Sequence, residues 1–287
     1  MEPPSIYGRF DLAYDGVTPP KLLEYNADTP TALVEASVIQ WHWLQDEEPH
    51  ADQFNSIHEK LIAQWKQIRP VLNPGPLYFT GTDDHEDIVT LAYLEDTASQ
   101  AGIPTQAIAI QDLGWNDKAR EFRDLTEQPI GNIFALYPWE WLYDQHPKGI
   151  EAAMRNGDIW LEPIWKMLWS NKALLAILWE RFPNHPNLLE AHLQGPGLMR
   201  EFVRKPIYSR EGANVRLTTA EGTVETGGDY GEDGYIWQAA AKIPNFDGNY
   251  PVIGSWVVTD QGACGIGIRE SQTPITDNRS RFIPHYF

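Results

Sequence analysis

The sequence holds a single cysteine, Cys264, in 287 residues. An intrachain disulfide and a cysteine-built zinc site are both excluded, and that usage fits a reducing, cytoplasmic setting. No apolar run approaches the ~18 residues a membrane span needs. The start, Met1-Glu2-Pro3-Pro4, has neither the basic nor the apolar region of a secretory signal. Cations are scarce, with 22 Lys and Arg against 40 Asp and Glu and a formal net charge of −18. That balance argues against a nucleic-acid binder or a protein held on anionic membranes. It leaves room for a nucleotide substrate, which a few well-placed cations and Mg²⁺ can hold. Several signatures are also missing. There is no Walker A loop, no His-Glu-x-x-His and no Gly-x-Ser-x-Gly, and Gly265-Ile266-Gly267 lacks the third glycine of a dinucleotide fingerprint.

What is present suffices for a core. Hydrophobic residues make up 42% and charged residues 22%, as in a globular chain of one large domain or two modest ones. The 12 Trp suit packing, with a sugar-binding platform as the sharper alternative.

The pattern opens with a hairpin. Ile6–Tyr14 is strand-like, Asp15-Gly16 supplies a turn, and Lys21–Asn26 returns. Thr29 then caps a helix with Pro30 in its first turn, running over Ala32–Leu44, and a second helix covers Ala51–Ile68. Leu77–Gly81 reads as a strand, Thr82–Glu86 as the cap of a helix reaching Gln100, and Pro104–Ile110 as the next strand. This strand–helix–strand unit marks a parallel layer. Ile130–Leu142 reads as a strand passing into a helix. A helix over Ile164–Trp179 follows, and mostly β structure runs from 203 to the end. The Gly-rich stretch 222–234 reads as a loop, and its glycines suggest a lid over phosphates.

The hairpin carries the chemistry. Arg9 and Asp11 are two apart on one strand, Glu24 and Asn26 two apart on the other, so pairing gathers them on one face. Two carboxylates and an amide oxygen suit Mg²⁺, and an Arg beside them suits a phosphate or carboxylate. An exposed cross-strand salt bridge and a glycosidase carboxylate pair are the alternatives. Lys172, Lys205 and Arg210 flank small polar or Gly-rich segments, as cations of a phosphate pocket would. Arg269 follows Gly265-Ile266-Gly267-Ile268, where it could offset charge on a transferred phosphoryl group. Any of these cations alone reads equally as a surface residue, and Cys264 reads as a small core residue.

Gly8-Arg9-Phe10-Asp11-Leu12 and Leu22–Thr31 resemble the glutathionylspermidine synthase family of ATP-grasp acid–amine ligases, in its stand-alone synthetase-like branch. The resemblance continues through Ser170–Ala173, Lys205-Pro206-Ile207, Arg210–Asn214, Tyr235–Gln238, Ile266–Arg269 and Arg281–His285, in the family's order. It implies an α/β (α+β), ATP-grasp-like fold with mixed sheets and a Rossmann-like pre-ATP-grasp layer. The expected parts are a metal-ligand hairpin with helices over 1–74, that layer over 75–145, and a nucleotide-clasping part over 146–287. The implied reaction is ATP- and Mg²⁺-dependent amide formation through an acyl phosphate, joining a small peptide-like acid such as glutathione to an amine. The resemblance assigns Asp11, Glu24 and Asn26 to Mg²⁺, and Arg9, Lys172, Lys205, Glu211, Gly212 and Gln238 to ATP. It assigns Thr29, Thr31 and Glu86 to the acid or amine, and Arg269, Arg210 and Arg9 to catalysis. His85-Glu86 stands where the namesake branch tends to carry two adjacent acids, which weakens the case for a polycationic amine. The family's leading region is expected to be missing, since the Gly-Arg-Phe-Asp motif begins at residue 8. A non-catalytic relic of the fold that binds nucleotide or a partner is the second reading.

Overall fold

A computed structural model describes residues 3–277 and 279–287. The hairpin forms as the turn chemistry dictates, β1 (Tyr7–Ala13) against β2 (Lys21–Asn26). Asp15 accepts from the backbone N–H groups of Val17 and Thr18, an Asx turn that closes the loop.

The next helix does not begin at a Thr29 cap. Ala32 sits at φ 61, so helical backbone starts after it, passes through a π-helical turn at Glu35–Ile39 and continues as α1 (Gln40–Glu47). Pro30 therefore lies outside the helix. Helix α2 (Ile57–Ile68) also starts later than its apolar pattern suggested. Asn55 bridges Gly265 and Ser56 donates its N–H to the Cys264 carbonyl, while Ala51 and Asn55 bond back to the Glu48 and Gln53 carbonyls, so the residues before α2 form turns and a bridge instead of helix.

Strand β3 (Leu77–Gly81) leads to α3 (His85–Gln100), where the Asp84 carboxylate accepts from the Glu86 N–H as an N-cap. Strand β4 (Thr105–Ala107) is shorter than the expected Pro104–Ile110, because a 3-10 turn takes over at Ile110–Asp112. A hairpin of β5 (Gly114–Asn116) and β6 (Glu121–Arg123) follows, then β7 (Asn132–Leu136) and α4 (Trp139–Gln145). Helix α5 (Pro147–Asn156) ends at left-handed Gly157 before β8 (Ile159–Leu161).

The single helix expected over 164–179 is broken. Helix α6 (Met167–Ser170) stops, the Asn171 side chain accepts from the Ala173 N–H, and α7 (Ala173–Arg181) starts afresh. The β-rich remainder comprises β9 (Ala191–His192), β10 (Phe202–Pro206), β11 (Arg216–Thr219), β12 (Gly222–Glu225), β13 (Tyr235–Ala239), β14 (Tyr250–Val258), β15 (Gly262–Ser271) and β16 (Arg281–Ile283). The first four residues of the supposed loop at 222–234 are thus a strand, paired antiparallel with β11.

The chain divides into two compact units. The first comprises the stretch up to Gly8, Ala27–Met167 and Trp256–Gly265. It contains the sheet β4-β3-β7-β8, whose neighbouring strands pair in parallel. Strands β3 and β7 are buried along their full length, as parallel strands covered on both faces are. Trp65, Phe79, Phe134, Tyr7 and Trp256 stack and edge into one another at centroid separations of 5.3–6.3 Å, so these tryptophans are core. Glu162 is buried there. Its Oε1 accepts from the N–H groups of Ile6 and Tyr7, and its Oε2 lies 2.7 Å from Lys166 Nζ.

The second unit comprises Arg9–Asn26, Leu168–Ser255 and Ile266–Phe287. Its antiparallel sheet runs β12-β11-β10-β13-β9. Strands β1 and β2 stand at the end of a second sheet order, β16-β15-β14-β1-β2. Leu22, Leu175, Ala176, Ala191 and Ile236 form its apolar cluster, with Phe10, Leu12 and Ile207 packed against them. The fold is mixed α/β, with both parallel and antiparallel sheets. Among the described residues, no helix is long and apolar enough to cross a membrane.

Candidate functional site

The hairpin register sets the first half of the site. Arg9 pairs with Asn26 and Asp11 with Glu24, so the four polar side chains share a face, as their two-residue spacing requires. The Arg9 guanidinium forks onto Asp11, with Nε 2.7 Å from Oδ1 and Nη2 3.1 Å from Oδ2. Both side chains are almost wholly buried, at 6% and 3% exposed. On β15, Arg269 donates from Nη2 to Asp11 Oδ2 at 2.7 Å. Arg269 lies within the strand rather than at its end.

The second half arrives from helix and sheet. Lys172, at the start of α7, reaches Glu24 at 3.5 Å and donates to the Ser209 carbonyl at 2.9 Å. Lys205 on β10 donates to Gln238 Oε1 at 2.8 Å and to the Leu23 carbonyl at 3.0 Å. The Gln238 amide in turn donates to the Leu22 carbonyl at 2.9 Å. These contacts fix the ends of the long side chains before any ligand is bound, which lowers the entropy cost of holding them in place.

Electrostatics follow from this crowding. Burial would raise the Asp11 carboxyl, but Arg9 and Arg269 outweigh it and hold it well below the usual carboxylate range. Burial lowers the Arg269 guanidinium, with Arg9 adding to the effect and Asp11 opposing it. Lys205 is brought down to about 8 by burial, which Glu24 resists and Lys172 reinforces.

Asn26 donates to Asp11 Oδ2 at 3.2 Å and to Glu24 Oε1 at 3.4 Å. Both carboxylates thus converge on one point. Two carboxylates, and the Asn26 oxygen if its amide flips, are donors that a hard divalent cation accepts, with other positions left to water and ligand oxygens. Among the described residues, no group of three or more His, Cys, Asp or Glu could hold a metal by itself.

Arg210, Glu211 and Gly212 occupy the turn immediately after Ser209. Glu211 and Gly212 have φ of 53° and 67°, and a Cβ on Gly212 would come within 2.5 Å of the Thr276 carbonyl oxygen. Only glycine fits there. The turn is tied to the segment after β12. Thr226 Oγ1 donates to the Gly212 carbonyl at 2.5 Å, and the Tyr230 N–H donates to Asn214 Oδ1 at 2.8 Å.

The eight residues Arg9, Asp11, Glu24, Asn26, Lys172, Lys205, Gln238 and Arg269 therefore form one network in the second unit. Arg210, Glu211 and Gly212 adjoin it through Ser209. Thr29, Thr31 and Glu86 belong to the first unit, Glu86 exposed in the first turn of α3. The carbonyls of Leu22, Leu23 and Ser209 are the parts that sequence reading missed. A backbone oxygen carries no residue-type signal.

Comparisons with known proteins converge on one family. The family model described as glutathionylspermidine synthase preATP-grasp matches residues 1–287. A Haemophilus influenzae protein named "Putative acid–amine ligase" is 45% identical over 299 residues, covering 99% of this chain and 75% of that protein. Trypanothione synthetase of Crithidia fasciculata is 29% identical over 306 residues, covering 96% of this chain and 46% of that protein. The bifunctional glutathionylspermidine synthetase/amidase of Escherichia coli is 28% identical over 277 residues, covering 85% and 43%. The chain thus spans three quarters of the first relative and less than half of the other two.

Proposed function

Because the chain belongs to the glutathionylspermidine synthase pre-ATP-grasp family, we propose that it is an ATP- and Mg²⁺-dependent acid–amine ligase working through an acyl phosphate. One observation carries the reading. In a chain of net charge −18, the four cations Arg9, Lys172, Lys205 and Arg269 gather around only two carboxylates, Asp11 and Glu24. Four positive charges against two negative leave an excess of two at a largely buried place. A polyphosphate supplies the missing negative charge.

The chemistry then divides among the residues. An oxygen of the acid's carboxylate attacks the γ-phosphorus of ATP, the bond to the β,γ-bridging oxygen breaks, and ADP leaves. The amine nitrogen next attacks the acyl carbon, phosphate departs, and the ammonium proton is lost to solvent. Arg9 and Arg269 offset charge on the transferred phosphoryl group, with Arg210 assisting from the adjoining turn. Lys172 and Lys205 draw in the phosphates, and Glu211, Gly212 and Gln238 line the nucleotide. Thr29, Thr31 and Glu86 contact the acid or amine. Asp11, Glu24 and Asn26 are the residues that would hold Mg²⁺; the two carboxylates already converge on the Asn26 NH2 group, and an amide flip would turn the Asn26 oxygen towards the same point. When bound, such an ion screens the charge between neighbouring phosphates.

The names of the relatives motivate a peptide-like acid such as glutathione joined to an amine, and the single cysteine suits a reducing, cytoplasmic setting for that reaction. The test is calorimetric titration of ATP with and without Mg²⁺ into the wild type, Asp11→Ala and Glu24→Ala. Circular dichroism confirms that each is folded, and an ADP-release screen over acids and amines follows. The proposal expects Mg²⁺-dependent binding that weakens at least about tenfold in both variants, in line with the loss of a charged contact. Equal affinity in all three proteins would overturn it.

A further inference from the structure

Strand β14 lies next to β1 in its sheet, and its Gly254 faces the stem of Arg9. A Cβ on Gly254 would come 2.8 Å from Arg9 Cδ, 3.3 Å from Cγ and 3.5 Å from Nε. Separations under 3.0 Å essentially never occur for real Cβ atoms. Gly254 is not among the residues with positive φ, so its backbone conformation does not require glycine. Glycine within a strand weakens it, and close approach by another group is the physical reason left.

Arg9 cannot simply swing away. Its guanidinium is forked onto Asp11, and Asp11 Oδ2 is held in addition by Arg269 at 2.7 Å. Ordinary contact begins at 3.4 Å, so an alanine would push the Arg9 stem by about 3.4 − 2.8 = 0.6 Å. Carried to the guanidinium, that displacement takes a 2.7 Å hydrogen bond to the edge of the bonding range.

We propose that Gly254 is a positioning residue whose missing side chain seats Arg9 at the height where it meets both Asp11 and an incoming phosphate. The phosphate half of this statement rests on the function proposed above. Gly254 itself touches no substrate. Its effect passes through Arg9 alone, and this separates it from a residue that merely stabilises the strand.

The experiment is a double-mutant cycle of Gly254→Ala and Arg9→Ala, reading both Mg·ATP affinity by calorimetry and melting temperature without nucleotide. Gly254→Ala is expected to weaken Mg·ATP about tenfold in the wild-type background, the scale expected when a reacting group is displaced by a fraction of an ångström. In the Arg9→Ala background, where Cγ and Cδ are gone, the same change should cost neither affinity nor melting temperature. A Gly254→Ala protein that fails to fold, while the double variant folds, supports the proposal equally. Full affinity and full stability in Gly254→Ala would overturn the proposal. So would losses that persist undiminished beside Arg9→Ala. If Arg9→Ala itself leaves Mg·ATP affinity unchanged, the ligase reading fails. The seating of Arg9 is then decided by the melting temperatures alone.

Discussion

Replacing Asp11 by Asn keeps the shape of the side chain and removes the charge on which two guanidiniums depend. Arg9 loses a carboxylate bound at 2.7 and 3.1 Å, and Arg269 one bound at 2.7 Å. Arg9 is nearly buried, so solvent cannot replace the carboxylate. Stranding a buried charge costs about 3–5 kcal/mol, and the amide oxygen that Asn retains puts this case near about 3. Unfolding entropy of about 2.1 cal/mol/K per residue gives about 0.6 kcal/mol/K for the whole chain, so Asp11→Asn should lower the melting temperature by about 5 °C. A transition confined to one unit would shift further, because its entropy is smaller. The assay is scanning calorimetry at neutral pH without nucleotide, which keeps ligand binding out of the comparison. Adding Arg269→Met to Asp11→Asn should recover part of the loss, since one of the stranded cations is then gone. The acid limb gives a second check. The carboxyl is depressed below its ordinary 3.8, so its contribution is full above that value and is lost as pH falls through the lower folded value. Asp11→Asn should therefore flatten the acid side of the stability profile. A melting shift below about 1 °C, with the acid limb unchanged, would refute the reasoning.

Lys205, lowered to about 8 by burial, must be protonated to attract a phosphate. ATP affinity should fall as pH rises through about 8, and the step should be absent in Lys205→Met, measured by titration from pH 7 to 10; a step that survives in the variant rejects the assignment. The unfolded chain holds that proton to a higher pH, so this residue's contribution to stability rises from about 8 upward, opposite in direction to its effect on binding. In the first unit, Lys166→Met leaves the buried Glu162 without its ion-pair partner and should cost about 3–5 kcal/mol in urea unfolding. The double variant Glu162→Gln/Lys166→Met should recover much of that, and a double variant as unstable as the single one would count against the pair. Gly212→Ala forces a Cβ to within 2.5 Å of the Thr276 carbonyl oxygen at a φ of 67°, and should lower Mg·ATP affinity by displacing the turn that carries Arg210 and Glu211.

How much was legible beforehand depends on whether the signal was local. The hairpin was readable because strand alternation is local. Two-residue spacing placed Arg9 with Asp11 and Glu24 with Asn26, but the register that opposes Asp11 to Glu24 also needs a bulge between Asp11 and Leu12, where Leu23 is skipped, and no local pattern announced it. Strand β3 and helix α3 were readable for the same reason, an apolar run and then an Asp84 cap. The errors came where tertiary contacts override propensity. The polar stretch before α2 stays out of the helix, and the chain around Gly265, more than 200 residues later, bonds to Asn55 and Ser56 there. The helix at 164–179 breaks at Asn171, whose side chain accepts from the Ala173 N–H where a new helix starts, and Lys172 at that break reaches the Ser209 carbonyl and Glu24. The function-bearing cations illustrate the same division. Each of Lys172, Lys205 and Arg269 reads alone as a surface charge in an acidic chain. Their meaning comes from the two carboxylates they share, and those lie on strands far earlier in the chain. No window of sequence holds that sum. Gly254 is the extreme case, since its contribution is an absent atom, visible only once Arg9 is seen lying across it.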